Sequence, residues 1–558
     1  LLDTIASMRT IPCDFSLRVR QLMMVAVISG LGACGGGGGG GGGGNSGSTS
    51  GAGATWSVAN LAPWRSLAAH CAAPRSGLDP YTGVPYPDQP GTLLSEQDWL
   101  ASWTNDTYLW YGDVNFVDPS AYASAIDYFN VLKSPLTTAS GKPKDQYHYT
   151  YSTPAWEALA SSSTQAGYGA TWSLVSVTPP RQAVVAYTEP NSPATLLPVP
   201  LARGAQILTV DGVDLVNDAT TAGVNTLNAG LFPATIGETH TFGVLDLGAS
   251  AARTVTLGSA NIGSTPVQNV KTLPAGASGG LLGYMLFNDH FATAEPGLIN
   301  AVKQLQSAGI TDLVLDMRYN GGGYLDIASE LAFMIAGPAV SAGKTFDALR
   351  FNEKHPSIDP VTLSPITPTP FISASLGFTA SPPAGQALPH LNLSRVYVLA
   401  GSNTASASEA LMNGLVGVGI QVVQIGSTTR GKPYGYYPTD NCGTTYLTIQ
   451  YQGVNQLGFG DYADGFVPQN GNTSGISAGA ILPGCSVGDD FTHALGDPAE
   501  LRLATALQYR AGGTCPAPTG FAAAAHRRAL SDTEGLVVKS PFQSNRILRA
   551  HPGGTISR

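Results

Sequence analysis

Residues 403–413 read NTASASEALMN and place Ser406 where a short turn meets a run of apolar residues at helical spacing. The preceding RVYVLAG reads as a strand and the following SASEALMNGLVG as a helix, so Ser406 sits at a strand-to-helix junction. A helix N-terminus offers unpaired N–H groups and the positive end of its dipole, both suited to a developing oxyanion. The same letters also spell a capping box, Ser406 as N-cap with Glu409 three residues on. Local grammar alone favours the cap. A nucleophilic serine further needs a base. None of the nine histidines follows a pattern that supplies one, His290 in LFNDHF and His493 being the nearest candidates. Lys432, in QIGSTTRGKPYG, lies 26 residues beyond Ser406 after an apolar strand. A lysine serves as base if burial lowers its pKa. A third piece, LDMRYNGGG, ends a buried strand in three glycines that leave main-chain amides unobstructed.

Two other matches are decoys. GASGG (276–280) fits G-x-S-x-G, but that motif needs a strand before it and a helix after it, and here a strand follows. Ser278 is therefore expected in a turn. SAGK (341–344) fits S-x-x-K, yet Ser341 falls in a Gly/Pro-flanked loop and neither S-D-N nor K-T-G occurs.

Taken in order, D-x-R-x-N-G-G, T-A-S-A-S-E and T-x-G-K resemble the C-terminal processing (tail-specific) serine peptidases. The resemblance covers roughly residues 166–515. It implies Ser406 as nucleophile, Lys432 as general base and Glu409 as the carboxylate that accompanies the dyad. It implies an oxyanion hole from the amides of Ala407 and Gly322, a crotonase-like α/β core, a protein or peptide substrate, and no metal or organic cofactor. Ser408 is left to support the turn or the helix face. Lys432 is followed by Pro433, where many members of that family have glycine, and NCGTTYLTIQ opens an elaborated C-terminal part. The alternative is a catalytically idle protein that holds a peptide or apolar ligand on the same fold.

The elements that must position these residues alternate. LLGYMLF, DLVLDM, SRVYVLAG and IQVVQIG read as strands, with helices GLINAVKQLQSAG, LDIASELAFMIAG and 406–416 between them. That order implies an α/β layer with a mostly parallel sheet. Upstream, ATWSLVSV, QAVVAYTE, AQILTVDGVDL and HTFGVLDLG are β-rich runs. GYGATWSLV, then SPATLL opening a helix, then the VDG turn resemble a PDZ domain, which captures peptides by strand addition. Trp and Tyr at three- and four-residue spacing suggest short amphipathic helices with an aromatic core in 57–165. The expected class is thus α/β multidomain: a helical domain over 57–165, a PDZ-like domain over 166–260, and a peptidase core over 270–515. A basic tail, 516–558, is expected to be disordered.

At the other end, Arg18 and Arg20 precede the short apolar run LMMVAVISG and then LGAC, ending at Cys34. This resembles a bacterial lipoprotein signal (1–34) with a lipidated Cys34, followed by a Gly/Ser-rich tether over 35–56. The expectation is a cell-envelope protein held to the membrane by lipid, with Gly35 favouring the outer membrane. A net charge of −9 argues against nucleic acid as a partner. Four cysteines remain beyond Cys34, and no C-x-x-C or H-E-x-x-H occurs, which leaves a metal site little support. Cys442 and Cys485, both in the elaborated region after Lys432, are expected to pair, leaving Cys71 for Cys515.

Overall fold

The structure is a computed structural model that describes residues 56–161, 164–176, 179–274, 279–471, 479–516 and 547–548. Cys34, the signal, the tether, Ser278 and nearly all of the basic tail lie outside the described residues. No described helix is long and apolar enough to cross a membrane.

In the N-terminal part the longest element is α1 (Leu93–Thr107), whose start is held by Thr92 Oγ1 accepting from the Ser95 amide. It buries Trp99 and Trp103, which stack with centroids 5.2 Å apart. This aromatic core is not closed on itself. Tyr446, from a hairpin far downstream, packs on both tryptophans. The strand Tyr149–Ser152 pairs antiparallel with Thr444–Leu447 of that hairpin.

Next comes an antiparallel sheet of β1 (Ala170–Ser176), β2 (Gln182–Thr188), β3 (Gln206–Val210), β4 (Thr239–Leu245) and β5 (Arg253–Gly258), in the order β5-β4-β3-β2-β1. Its helix is α2 (Thr221–Leu231), which seats Leu227 and Leu231 in the sheet's core. The SPATLL stretch expected to open a helix forms a turn instead. Ser192 and Thr195 close it locally, the Ser192 amide donating to Thr195 Oγ1 at 2.9 Å.

The third part is built on β6 (Val267–Pro274), β7 (Leu281–Phe287), β8 (Ile310–Asp316), β9 (Arg395–Ala400), β10 (Gln421–Gly426) and β11 (Gly484–Ser486), side by side in that order. Only β6 runs antiparallel to its neighbour. Helices α3 (Ala294–Ser307), α4 (Leu325–Ala336) and α5 (Ala407–Gly417) cover one face, and α6 (Leu501–Gly512) packs with the core of the other. Strands β8 and β9 are buried almost throughout because both faces are covered. Parallel register brings the carboxyl ends together: Asp316 lies beside Leu399, and Ala400 beside Gly426. The loops that leave these three ends carry RYNGGG, SNTASAS and STTRGK. Such an edge is where open α/β sheets place their chemistry.

The disulfides correct the expected pairing: the bonds are Cys71–Cys442 and Cys485–Cys515, each with Cα atoms 5.4 Å apart. Cys442 sits at the hairpin that joins the N-terminal part, where Asn441 Oδ1 also accepts from the Ala69 amide. Cys485 is on the sheet's last strand, against the segment that follows α6. Proximity in the elaborated region did not decide the partners; sheet position did. The second bridge closes a 30-residue loop. On the chain-entropy argument Cys515→Ser should lower unfolding stability by about 3 kcal/mol. Urea unfolding monitored by far-UV circular dichroism checks this, and a loss under about 1 kcal/mol would mean that α6 is held by packing alone.

Candidate active site

Ser406 precedes α5 with φ +61° and ψ −119°, a left-handed conformation that a β-carbon makes costly. Four bonds hold it there. Thr404 Oγ1 donates to the Met317 carbonyl at 2.9 Å and accepts from the Gly401 amide at 2.9 Å. The Ala405 amide and Ser408 Oγ both donate to the Asn320 carbonyl, each at 3.1 Å. The serine turn is thereby stitched to the loop that leaves β8.

Glu409 joins the serine to the lysine. Its Oε2 accepts from the Ser406 amide at 3.0 Å and from the Lys432 amide at 2.8 Å. Its Oε1 accepts from the Gly431 amide at 2.7 Å and from Thr429 Oγ1 at 2.5 Å. Three of these donors are main-chain N–H groups, which a carboxylate satisfies on both oxygens and a protonated acid does not. Burial pushes the Glu409 carboxyl up, and the hydrogen bonds from Thr429, Lys432, Gly431 and Ser406 pull it back. Glu409 thus caps α5 and bridges the Ser406 turn to the Lys432 loop in one arrangement.

Lys432 is 1% exposed. Burial pushes its pKa well below the ordinary lysine range, Arg430 adds to that, and Glu409 opposes it. Its Nζ lies 4.9 Å from the Tyr147 ring centroid and 5.2 Å from that of Tyr436. Tyr147 comes from the N-terminal part and donates through its hydroxyl to the Gly431 carbonyl at 3.3 Å. Sequence reasoning missed Tyr147, Tyr436, Thr404 and Thr429. For the threonines, their place inside the motifs was an available signal. For Tyr147, 285 residues before Lys432 in the chain, there was none.

Ser406 and Lys432 line one narrow cavity with Leu325, Ala410, Pro433 and Tyr462, enclosing about 20 Å³, room for roughly one water. Gly322, with φ +96°, abuts the serine as expected: a β-carbon there would stand 2.8 Å from Ser406 Cβ and 2.9 Å from the Ala407 amide nitrogen. Its own N–H, however, donates to Asn320 Oδ1 at 3.0 Å, so that amide is engaged rather than pointing at a substrate. The rival base, His290, is buried with its ring against Phe287 and Nδ1 at 3.0 Å from Asn320 Oδ1. Burial pushes its pKa down to about 3. His493 instead pairs with Asp490 at 2.7 Å. Ser341 is a buried end-of-helix residue whose hydroxyl donates to the Gly337 carbonyl. The D-x-R pair is a structural clamp: Arg318 is fully buried and bonds Asp316, Asp489 and Glu500 at 2.7–3.0 Å.

Two outcomes follow from this geometry. Glycine tolerates the Ser406 backbone without strain, so Ser406→Gly should be more stable than Ser406→Ala by about 1 kcal/mol or more in denaturant unfolding. Equal stabilities would show that the turn relaxes once the hydroxyl is gone. For Lys432 the folded-state pKa lies below the unfolded one, so between the two the unfolded chain binds the extra proton and stability rises with pH. Lys432→Met carries no such proton. It should be more stable than wild type at neutral pH, by a margin that shrinks as pH climbs toward about 10.4. A margin that grew with pH would mean that the folded state holds the ammonium.

A sequence model of peptidase family S41 matches residues 280–449. No curated protein matches the chain. Among solved structures, a Bacteroides fragilis protein assigned as an S41 protease superposes with a TM-score of 0.53 at 21% identity, covering 75% of this chain and 97% of its own. That likeness concerns the fold. A photosystem II D1 C-terminal processing protease gives a TM-score of 0.40 at 19% identity, covering 70% of this chain and 93% of its own, too distant to carry a conclusion. Ser406, Glu409, Lys432 and Gly322 all fall inside the span that matches the peptidase family S41 model.

Proposed function

We propose that the chain is a serine endopeptidase working through a Ser406–Lys432 dyad. The observation that carries this reading is that both side chains wall one cavity while burial depresses the lysine's pKa. Neutral Lys432 takes the Ser406 proton as Oγ attacks the scissile carbonyl carbon. The tetrahedral oxyanion is met by the Ala407 amide at the start of α5 and by an amide of the Gly321–Gly323 turn. For Gly322 to serve, its N–H must leave Asn320 Oδ1 when substrate enters. Collapse breaks the C–N bond, and the proton passes from Lys432 to the departing amine. Water then attacks the acyl ester with Lys432 again as base, releasing the acid and restoring Ser406. Glu409 is a positioning residue that keeps the two reacting groups in register.

The antiparallel sheet with α2 suits a PDZ-like module that holds the substrate chain. Lipidation at Cys34 and attachment to the cell envelope complete the proposal, resting on the sequence alone. Cys34→Ala should then release the protein into the soluble fraction.

Ser406→Ala and Lys432→Ala should each lower kcat/KM on a casein or peptide substrate by roughly 10⁴-fold or more, and the double variant should be no worse than either. In wild type kcat/KM should rise through a group titrating well below the ordinary lysine range. Near-wild-type turnover in Lys432→Ala, or an acidic limb at about 10.4, would remove the lysine as base. Peptide binding without turnover would support the idle-binder alternative.

A further inference from the structure

The main chain of Gly322–Tyr324 has two edges, and they are used differently. On one, His290 pairs with it: the His290 amide donates to the Gly322 carbonyl at 3.2 Å, and the Tyr324 amide to the His290 carbonyl at 2.9 Å. On the other lies a segment from the far end of the same chain. Ile547 pairs with Gly323 and Leu548 with Tyr324, in parallel register. We propose that this second edge is a seat for an extended peptide main chain, and that Ile547–Leu548 is its resident occupant, competing in cis with whatever peptide the active site takes.

The place of the seat gives the pairing its consequence. Gly322 is in contact with the Ser406 turn, Gly323 and Tyr324 follow it directly, and Leu325 next lines the cavity that holds Ser406 and Lys432. A strand advances about 3.3 Å per residue, so a chain laid on this edge runs within one or two residues of the reacting serine. The recognition is by main-chain pairing, which tolerates many side chains, so its ligand class is an extended peptide. The occupant's own sequence, SNRILRAHP, puts two apolar residues between arginines and keeps proline out of the paired positions. Each main-chain hydrogen bond corresponds to a factor of roughly 2 to 10 in occupancy. The pairing is therefore weak in absolute terms. Being intramolecular, it nonetheless acts at an effective concentration set by its tether and independent of the protein's own concentration, so that it competes with a dilute substrate and yields to a concentrated one.

The inference rests on the peptidase reading for what is displaced, and its test is built to stand apart from that reading. The full chain is prepared as Ser406→Ala, and again as Ser406→Ala with Ile547→Pro and Leu548→Pro, which remove both main-chain donors. Binding of fluorescein-labelled SNRILRAHP peptide is then read by anisotropy. The proline-substituted chain should bind the probe at least several-fold tighter, and unlabelled SNRILRAHP should displace it where a peptide with proline at the two apolar positions does not. In the Ser406 chain the same tail substitutions should lower KM with kcat unchanged. Equal affinities within about two-fold for the two Ser406→Ala chains would overturn the proposal, as would equal displacement by the proline peptide. The binding arm decides the matter whether or not the wild type cleaves.

Discussion

The site depends on one buried carboxylate. Glu409 gathers donors from the Ser406 turn and from the Thr429–Lys432 loop, two segments that leave neighbouring strands and that the Arg430 amide, donating to the Thr404 carbonyl at 2.9 Å, also ties together. Leaving such an anion buried without its donors would cost several kcal/mol. The cost therefore forces both loops onto the same two oxygens. Main-chain donors are the right partners for this task, because an amide cannot swing away as a side chain can. The two oxygens of this one carboxylate hold the turn before α5 and the loop after β10 in register.

A second charge cluster supports the first from below. Arg318 is held by Asp316, Asp489 and Glu500, the last at the N-cap of α6. Arg203, in the loop before β3, reaches the same Asp489 at 2.7 Å. Burial alone would raise the Asp489 carboxyl; Arg318, Arg502 and Arg203 hold it well below the usual carboxylate range. The D-x-R half of the first motif thus does no chemistry. It fixes the end of β8 so that Asn320, two residues on, can accept from His290 and Gly322 through its side chain and from Ala405 and Ser408 through its carbonyl.

What was legible in the sequence tracks how local the cause is. Strands at 281–287 and 421–426 and the helix at 325–336 stand where apolar runs and glycine stops put them. Ser406, Glu409 and Lys432, named from short ordered motifs, are brought together in the structure. Features set by distant packing were not legible. The disulfide partners follow from a hairpin joining a strand almost 300 residues earlier, Tyr149–Ser152 with Thr444–Leu447, and no spacing rule encodes that. A turn stands at 192–195 where a helix was expected, held by a short hydroxyl network between Ser192 and Thr195. Gly322, expected to lend its amide to an oxyanion hole, abuts the Ser406 turn, yet the direction of its N–H is decided by Asn320, whose rotamer sequence cannot show.

The same long-range packing gives the N-terminal part a place at the site. A lysine in the mouth of an open α/β sheet would be hydrated and charged, hence no base at neutral pH. Tyr147 and Tyr436, with Tyr108, Trp156, Tyr434 and Leu447, close an apolar cluster around the Lys432 loop that neither the N-terminal part nor the sheet could form alone. Aromatic faces do attract an ammonium, but that attraction is about 1–2 kcal/mol, less than the effective cost of taking the charge out of water. Desolvation outweighs it, and the Lys432 pKa falls well below the ordinary lysine range. The Cys71–Cys442 bond ties the N-terminal part to the hairpin that carries Tyr446 and Leu447. It therefore reaches Lys432 at a distance: it helps to keep seated the aromatic wall whose packing takes that side chain out of water.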